Sequence, residues 1–229
     1  MSTPTDARPI SRDELLRKAV ITTVTELQRR ATGAHHNTGA HHDTGVTARL
    51  ARLRRAVTVE PGSEPLVWAD TLGALPEELV PTGRWADDTP THYERAAHEA
   101  ITLYALHQQS KSTAAHVPGI SLGAAARRLA KATGRDDAIR TRFQAVATAG
   151  TASGVSHHLR ALITLLRAEG IPLDYGRLAV DLRHLHGGAG DRVRLRWGRD
   201  FHRAATDEPD TPTDRTQAET DDTRSKENA

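Results

Sequence analysis

Apolar residues recur at every third or fourth position along most of the chain, which is the spacing of one face of an α-helix. Leu16, Val20, Val24 and Leu27 form the first such stripe. The later stripes are Leu50 and Leu53; Ala97, Ile101 and Tyr104; Ile139, Phe143 and Val146; Leu159, Leu162, Ile163 and Leu166; Leu178, Leu182 and Leu185; and Val193, Trp197 and Phe201. No stretch alternates convincingly with the period of two that a strand requires. The pattern predicts an all-α protein.

Polar residues mark where these helices begin and end. The sequences SRDE, starting at Ser11, and THYE, starting at Thr91, are capping boxes that open helices. Ser121 opens another helix, and Gly170 follows the Leu159–Leu166 stripe as a C-terminal cap.

The predicted helices form one bundle or two, with a polar linker over residues 111–120. The acidic C-terminal residues show no apolar period and are expected to be disordered. The predicted segments are a disordered N-terminus at 1–10, an N-terminal bundle at 11–112 with a histidine-rich loop at 33–45, a C-terminal bundle at 113–204 and a disordered acidic tail at 205–229.

The histidine-rich loop, GAHHNTGAHHDTG, poses the question of a metal site. Zinc requires three or four ligands on elements that fix their direction. Here the histidines lie among Gly, Ala, Asn and Thr, so a duplicated spacer between two helices is the better interpretation. We therefore expect no bound metal and no cofactor.

Other candidate chemistry is weak. In DLRHLH, His184 is placed to share a helix face with Asp181 but His186 is not, which favours a solvated helix end. HGGAG lacks the lysine of a phosphate-binding loop and is interpreted as a turn. The chain has no cysteine, and no motif for acyl transfer, nuclease action or nucleotide hydrolysis is found. The chain has no run of 18 apolar residues and no secretory leader, so we expect a cytoplasmic protein without membrane contact.

The small net charge of +2 conceals a strong pattern. Residues 1–60 carry a net charge of +4, residues 61–110 of −6, residues 111–203 of +9 and residues 204–229 of −5. A basic C-terminal half is typical of a protein that binds a polyanion, although a solvated arginine-rich surface remains an alternative.

Basic residues gather on four predicted helices, and arginine's planar group suits phosphate oxygens. The candidate nucleic-acid-binding residues on these helices are Arg52, Arg54, Arg55, Arg127, Arg128, Lys131, Arg140, Arg142, Arg196 and Arg199. Most of the three Trp, three Tyr and two Phe residues fall on apolar stripes, so base stacking is not expected to dominate. Phosphate contacts predict weak sequence preference and steep salt dependence.

Six motifs follow one another in a familiar order: LARLRRA, YALHQQS, GISLGAAARRLA, TRFQAVATA, HLRALITLLRAEGIPLDYGRLAVDL and VRLRWGRDF. Over about residues 11–204 the chain resembles the CasB family, the small subunit of the type I-E CRISPR surveillance complex Cascade, in an actinobacterial branch. The histidine repeat and the acidic tail have no counterpart in this pattern.

The resemblance implies a non-catalytic, all-helical subunit, made of two small helical bundles packed as a bipartite subunit. It also implies that the subunit helps to retain the R-loop for antiviral defence. Its implied partners are the guide crRNA, the target DNA with its displaced non-target strand, the large subunit and backbone subunits, and a second copy head to tail. The basic positions that match the family's nucleic-acid surface best are Arg54, Arg55, Arg140, Arg142 and Arg160. Arg127 and Arg128 are included on charge alone.

Two other classes remain. SLGAAARRLA is compatible with the first part of a helix-turn-helix transcription regulator, but the following helix, AIRTRFQAVATA, is mostly apolar where base-reading residues are needed. A metal-dependent hydrolase that uses the histidines is the third class.

Overall fold

The structure is a computed structural model that describes residues 10–33, 44–81 and 89–203. These residues form eight α-helices and two short 3-10 helices, with no β-strand among them, which confirms the all-α prediction. The α-helices are α1 (Arg12–Ala31), α2 (Thr44–Ala56), α3 (His92–His107), α4 (Leu122–Thr133), α5 (Asp136–Thr148), α6 (Ala152–Glu169), α7 (Tyr175–His186) and α8 (Gly190–His202). The 3-10 helices are Pro65–Val67 and Glu77–Leu79.

Several sequence predictions fall outside the described residues. They concern residues 1–9, nearly all of the histidine repeat, and the acidic tail from residue 204 onward. Within the described ranges, no helix has the length and apolar character needed to cross a membrane.

The predicted helix boundaries are confirmed by their capping hydrogen bonds. The Ser11 hydroxyl accepts a hydrogen bond from the Glu14 amide at 3.2 Å. Thr91 and Glu94 form the reciprocal pair of a capping box, at 3.2 and 2.7 Å. At the end of α6, Gly170 has a φ of 66°, a left-handed conformation that glycine adopts without steric cost.

Two close helix crossings organise the core. Helix α7 packs against α1, α3 and α8, whereas α4 packs against α5, α6 and α8. A Cβ atom at Gly176 would lie 2.5 Å from a side-chain carbon of Ile21, so α1 and α7 approach closely at this glycine. A Cβ atom at Gly123 would collide with the backbone carbonyl of Trp197, which makes Gly123 the point of closest approach between α4 and α8.

The predicted polar linker over residues 111–120 is not exposed to solvent along its whole length, because Ala115 and His116 are buried. Gln28 of α1 exchanges two hydrogen bonds with the backbone of His116, at 2.8 and 3.1 Å. The Leu173 amide donates to the carbonyl of Ala115 at 3.0 Å. This segment is therefore fixed against both halves of the chain, and the buried apolar residues of the two halves form one continuous cluster. The division into two bundles at residue 112 stays a prediction.

Candidate nucleic-acid interface

Helix α2 carries one arginine that stabilises the fold and three that have no acidic partner among the described residues. Its apolar face buries Leu50 and Leu53. On its flank, the Nε of Arg49 donates to the buried carboxylate of Asp70 at 3.0 Å.

The three candidate residues of this helix differ from Arg49. Within the described structure, Arg52, Arg54 and Arg55 form no ion pair, and the Nε of Arg52 is buried without a hydrogen-bond acceptor. Burial lowers the pKa of Arg54, and the neighbouring guanidinium groups of Arg167 and Arg55 lower it further. Since these cations are not neutralised, α2 carries a positive potential that favours an anion.

Helix α4 carries the next group of candidates. Arg128 and Lys131 are exposed, and Arg127 is half-buried. None of the three forms an ion pair within the described residues, and the Nε of Arg127 is also buried without an acceptor. The C-terminal half of α4 thus has a net positive surface.

Helix α5 contributes two exposed arginines. Arg140 lies 3.2 Å from Asp137, but the Asp137 side chain is 93% exposed, so solvent screens this pair and Arg140 remains available to a phosphate. Arg142 donates to the backbone carbonyl of Ala138 at 3.1 Å and has no acidic partner in the described structure. Arg142 and Arg135 also line a small cavity of about 170 Å³ between α4, α5 and α6.

Helix α6 reveals a residue that the sequence analysis missed. Arg160 and Arg167 are seven residues apart and lie on the same side of the helix. Arg167 donates to the side-chain carbonyl of Gln109 at 2.6 Å, and its charge is close enough to Arg54 to lower the pKa of that group. Arg167 therefore lies near Arg54 of α2, and Arg160 lies on the same side of α6. The seven-residue spacing from Arg160 is the sequence signal by which Arg167 could have been predicted.

Helix α8 places its two candidates in different environments. Arg196 forms a 2.6 Å ion pair with Asp181, whose side chain is 3% exposed. The same carboxylate accepts a hydrogen bond from the indole N–H of Trp197 at 2.7 Å. Arg199 is exposed and forms no ion pair among the described residues. The geometry gives Arg196 a structural function inside the protein and leaves Arg199 open to a partner. Nucleic-acid binding by either residue stays a prediction.

The histidines of α7 are not at a solvated helix end, and that expectation was wrong. His184 contacts Asp13 at 2.9 Å, and His186, whose side chain is 3% exposed, contacts Glu99 at 3.0 Å. These histidines pair with carboxylates from distant helices, as Asp181 pairs with α8. No three metal-ligating side chains gather anywhere in the described structure.

Ser156, Glu99 and His186 form a polar cluster that does not have a catalytic arrangement. Ser156 donates to one carboxylate oxygen of Glu99 at 2.6 Å, and His186 contacts the other oxygen. A nucleophilic serine requires its base within hydrogen-bonding distance, but here the carboxylate lies between the serine and the imidazole. The cluster connects α3, α6 and α7 and is structural.

Comparison with known proteins gives one consistent result. The sequence profile of the CRISPR-associated protein Cse2 family matches residues 49–202. The crystal structure of CasB from Thermobifida fusca is similar with a TM-score of 0.61 and 33% sequence identity, covering 82% of this chain and 98% of that one. A Cse2-family CRISPR-associated protein from Thermus thermophilus shares the fold, with a TM-score of 0.56 and 22% identity over 81% of this chain and 96% of its own. None of the curated proteins compared with the chain matches it.

Proposed function

This chain belongs to the Cse2 family of CRISPR-associated proteins, and we propose that it is the non-catalytic small subunit of a type I-E effector complex. In this function it contacts the guide crRNA and target DNA region together with the displaced non-target strand. Its arginines bind phosphate groups and so prolong the lifetime of the R-loop. Its partners are the large subunit, the backbone subunits and a second copy of itself.

The observation that supports this function best is the number of basic side chains without acidic partners. Among the described residues, α2, α4, α5 and α6 carry Arg54, Arg55, Arg128, Lys131, Arg142 and Arg160 on partly or fully exposed positions, and none of these six forms an ion pair. A stable fold does not require such groups, because surface arginines that only solvate are usually interspersed with acids. Phosphates are the partners that neutralise them.

The energetics of R-loop formation make modest contacts sufficient. Opening a DNA duplex under a guide RNA exchanges one duplex for another of nearly equal stability. A few phosphate contacts to the freed strand therefore shift the equilibrium without any reading of bases. Rigid helices that present arginines supply these contacts.

The transcription-regulator alternative is less compatible with the charges. Helices α4 and α5, joined at Gly134, have the order of a helix-turn-helix. In that motif, the N-terminal residues of the second helix contact base edges. Here those residues are Asp136 and Asp137, both exposed, which would be repelled by DNA.

The function is tested in the reconstituted effector complex with five alanine substitutions in one variant, at Arg54, Arg55, Arg140, Arg142 and Arg160. We expect R-loops to dissociate faster while guide-RNA loading by the other subunits persists, as measured by the decay of a labelled displaced strand. A matched control replaces Lys18 and Arg29, exposed cations of α1, with alanine. Wild-type R-loop lifetime in the five-residue variant would refute the proposal, as would a strong preference of the isolated chain for one palindromic duplex.

A further inference from the structure

A cavity of about 710 Å³ opens between α1, α2 and the segment that follows α3. Its described walls include the basic side chains of Arg30, Arg54 and Lys111 and contain no carboxylate. The remaining polar lining consists of hydroxyl and amide side chains, and Leu50 contributes an apolar surface. Volumes of this size are typical of small-ligand sites, and a cationic wall with an apolar floor suits a ligand that is both anionic and partly apolar.

Among the described residues, no carboxylate pairs with Arg54 or Lys111 at this cavity. Arg30 lies 3.5 Å from Glu26 and is at least partly compensated. Arg54 has no acidic partner in the described structure, and Arg167 and Arg55 are close enough to lower its pKa. Clustered like charges without a counter-ion are costly, so this arrangement favours the binding of an anion.

Hydrogen bonds fix the backbone at Lys111, the third basic residue of the cavity wall. The buried side chain of Gln108 donates from its amide nitrogen to the carbonyls of Lys111 and Thr113, both at 2.9 Å. Its carbonyl oxygen accepts from the Ala115 amide at 3.0 Å. The backbone that carries Lys111 is therefore fixed by a buried amide side chain.

Arg167 is bonded to a residue of the cavity wall. Its guanidinium group donates to the carbonyl oxygen of Gln109, which lines the cavity, at 2.6 Å. An amide orients the arginine without neutralising its charge, whereas a carboxylate would have done both. Arg54 and Lys111 thus line the cavity from two separate segments, and Arg167 of α6 is bonded to a third lining residue, Gln109.

We propose that this cavity binds one unpaired nucleotide of a nucleic-acid strand, with its phosphate held by Arg54, Lys111 and Arg167. The proposal rests on the proposed function and adds to it a defined site with two residues, Lys111 and Arg167, outside the sequence-predicted set. A phosphate alone would leave most of the volume empty. In a stacked duplex the base and sugar are held within the helix, so a single strand is the partner that can place a whole nucleotide here.

The site is tested with the full-length chain and a fluorescein-labelled oligothymidine, titrated at several salt concentrations. The test variant combines Lys111→Gln with Arg167→Gln, which removes two charges and retains polar side chains of similar reach. The first control is the Lys18→Ala and Arg29→Ala variant. The second is Arg128→Ala with Arg142→Ala, which removes candidate phosphate contacts away from the cavity. Thermal melting of each variant establishes that it is folded.

We expect the cavity variant to lower the slope of log K against log salt by about 0.7, the loss of one phosphate contact on a single strand, while the α1 control keeps the wild-type slope. An unchanged slope in the cavity variant, together with weakened binding by the Arg128 and Arg142 variant, would overturn the cavity site and leave the proposed function standing. Failure of the wild-type chain to bind the oligonucleotide would count against both. In backbone amide NMR, a response of the cavity residues to inorganic phosphate but not to oligothymidine would identify a free-anion site and overturn the assignment to a nucleotide.

Discussion

Replacement of Arg196 by alanine separates structural arginines from binding arginines on a single helix. Arg196 compensates the buried carboxylate of Asp181, and Arg199, one turn further along α8, has no acidic partner in the described structure. We expect Arg196→Ala to destabilise the fold and Arg199→Ala to leave stability within about 0.5 kcal/mol of wild type.

The magnitude follows from the geometry of the pair. Breaking a fully buried ion pair costs about 3–5 kcal/mol, because one charge is left without compensation. The Arg196 side chain is 42% exposed, so solvent already screens the pair, and Asp181 keeps its hydrogen bond from Trp197. These two facts reduce the expected loss to about 2 kcal/mol, near the value of one hydrogen bond to a charged group. For a chain of this size, that corresponds to a fall in melting temperature of about 4–8 °C.

The loss also has a predicted dependence on pH. Burial raises the pKa of Asp181 in the folded protein, and Arg196 and Trp197 partly oppose this rise. Without Arg196, the pKa of Asp181 in the folded protein rises further. The Arg196→Ala variant is therefore more stable at low pH, where this carboxyl is protonated, and loses that stability as the pH rises through the folded-state pKa. The difference in unfolding free energy between wild type and Arg196→Ala should therefore shrink as the pH falls from about 7 toward the ordinary pKa of aspartate, about 3.9.

Urea denaturation followed by far-ultraviolet circular dichroism measures this difference at each pH. Equal stabilities of Arg196→Ala and Arg199→Ala at neutral pH would refute the structural function of Arg196. A difference that grows on acidification would refute the assignment of the effect to Asp181.

Three further predictions concern the packing at Gly123, the histidine repeat and the acidic tail. Gly123→Ala should lower the free energy of unfolding by about 1–3 kcal/mol, because its Cβ would collide with the Trp197 carbonyl. Gly198→Ala is the control and should not destabilise the protein, because a Cβ at Gly198 meets open space. Equal urea midpoints for the two variants would contradict this prediction. Deletion of one GAHHNT unit from residues 33–45 should leave the melting temperature and complex assembly nearly unchanged; stoichiometric zinc in untagged protein would instead indicate a metal site. Removal of residues 206–229, within a segment of net charge −5, should tighten binding to single-stranded DNA at low salt, and equal affinities would show that the tail does not screen the basic helices.

The elements of this fold were predictable because their signals are local. The stripe from Leu16 to Leu27 specifies a buried helix face, and Ser11 and Thr91 cap backbone amides only three residues away. The partners of the polar side chains were not predictable. His186 meets Glu99 across 87 residues of sequence, and a spacing rule within one helix cannot detect such a contact. The same limitation explains why DLRHLH was interpreted as solvated.

The arginines show why charge alone could not define the interface. Arg49 and Arg54 lie on the same helix, and nothing in ARLARLRRA distinguishes the arginine that pairs with a buried carboxylate from the one that has no acidic partner in the described structure. What separates them is Asp70, which a later turn brings against Arg49 and not against Arg54. Among the described residues Arg54 has no counter-ion, and its pKa is lowered first by burial and then by the charges of Arg167 and Arg55. In the proposed function, a phosphate bound there would offset the repulsion between these arginines, which would add to the binding free energy. Because R-loop formation is a nearly balanced exchange between two duplexes, the proposal needs only a few such contacts to retain the displaced strand.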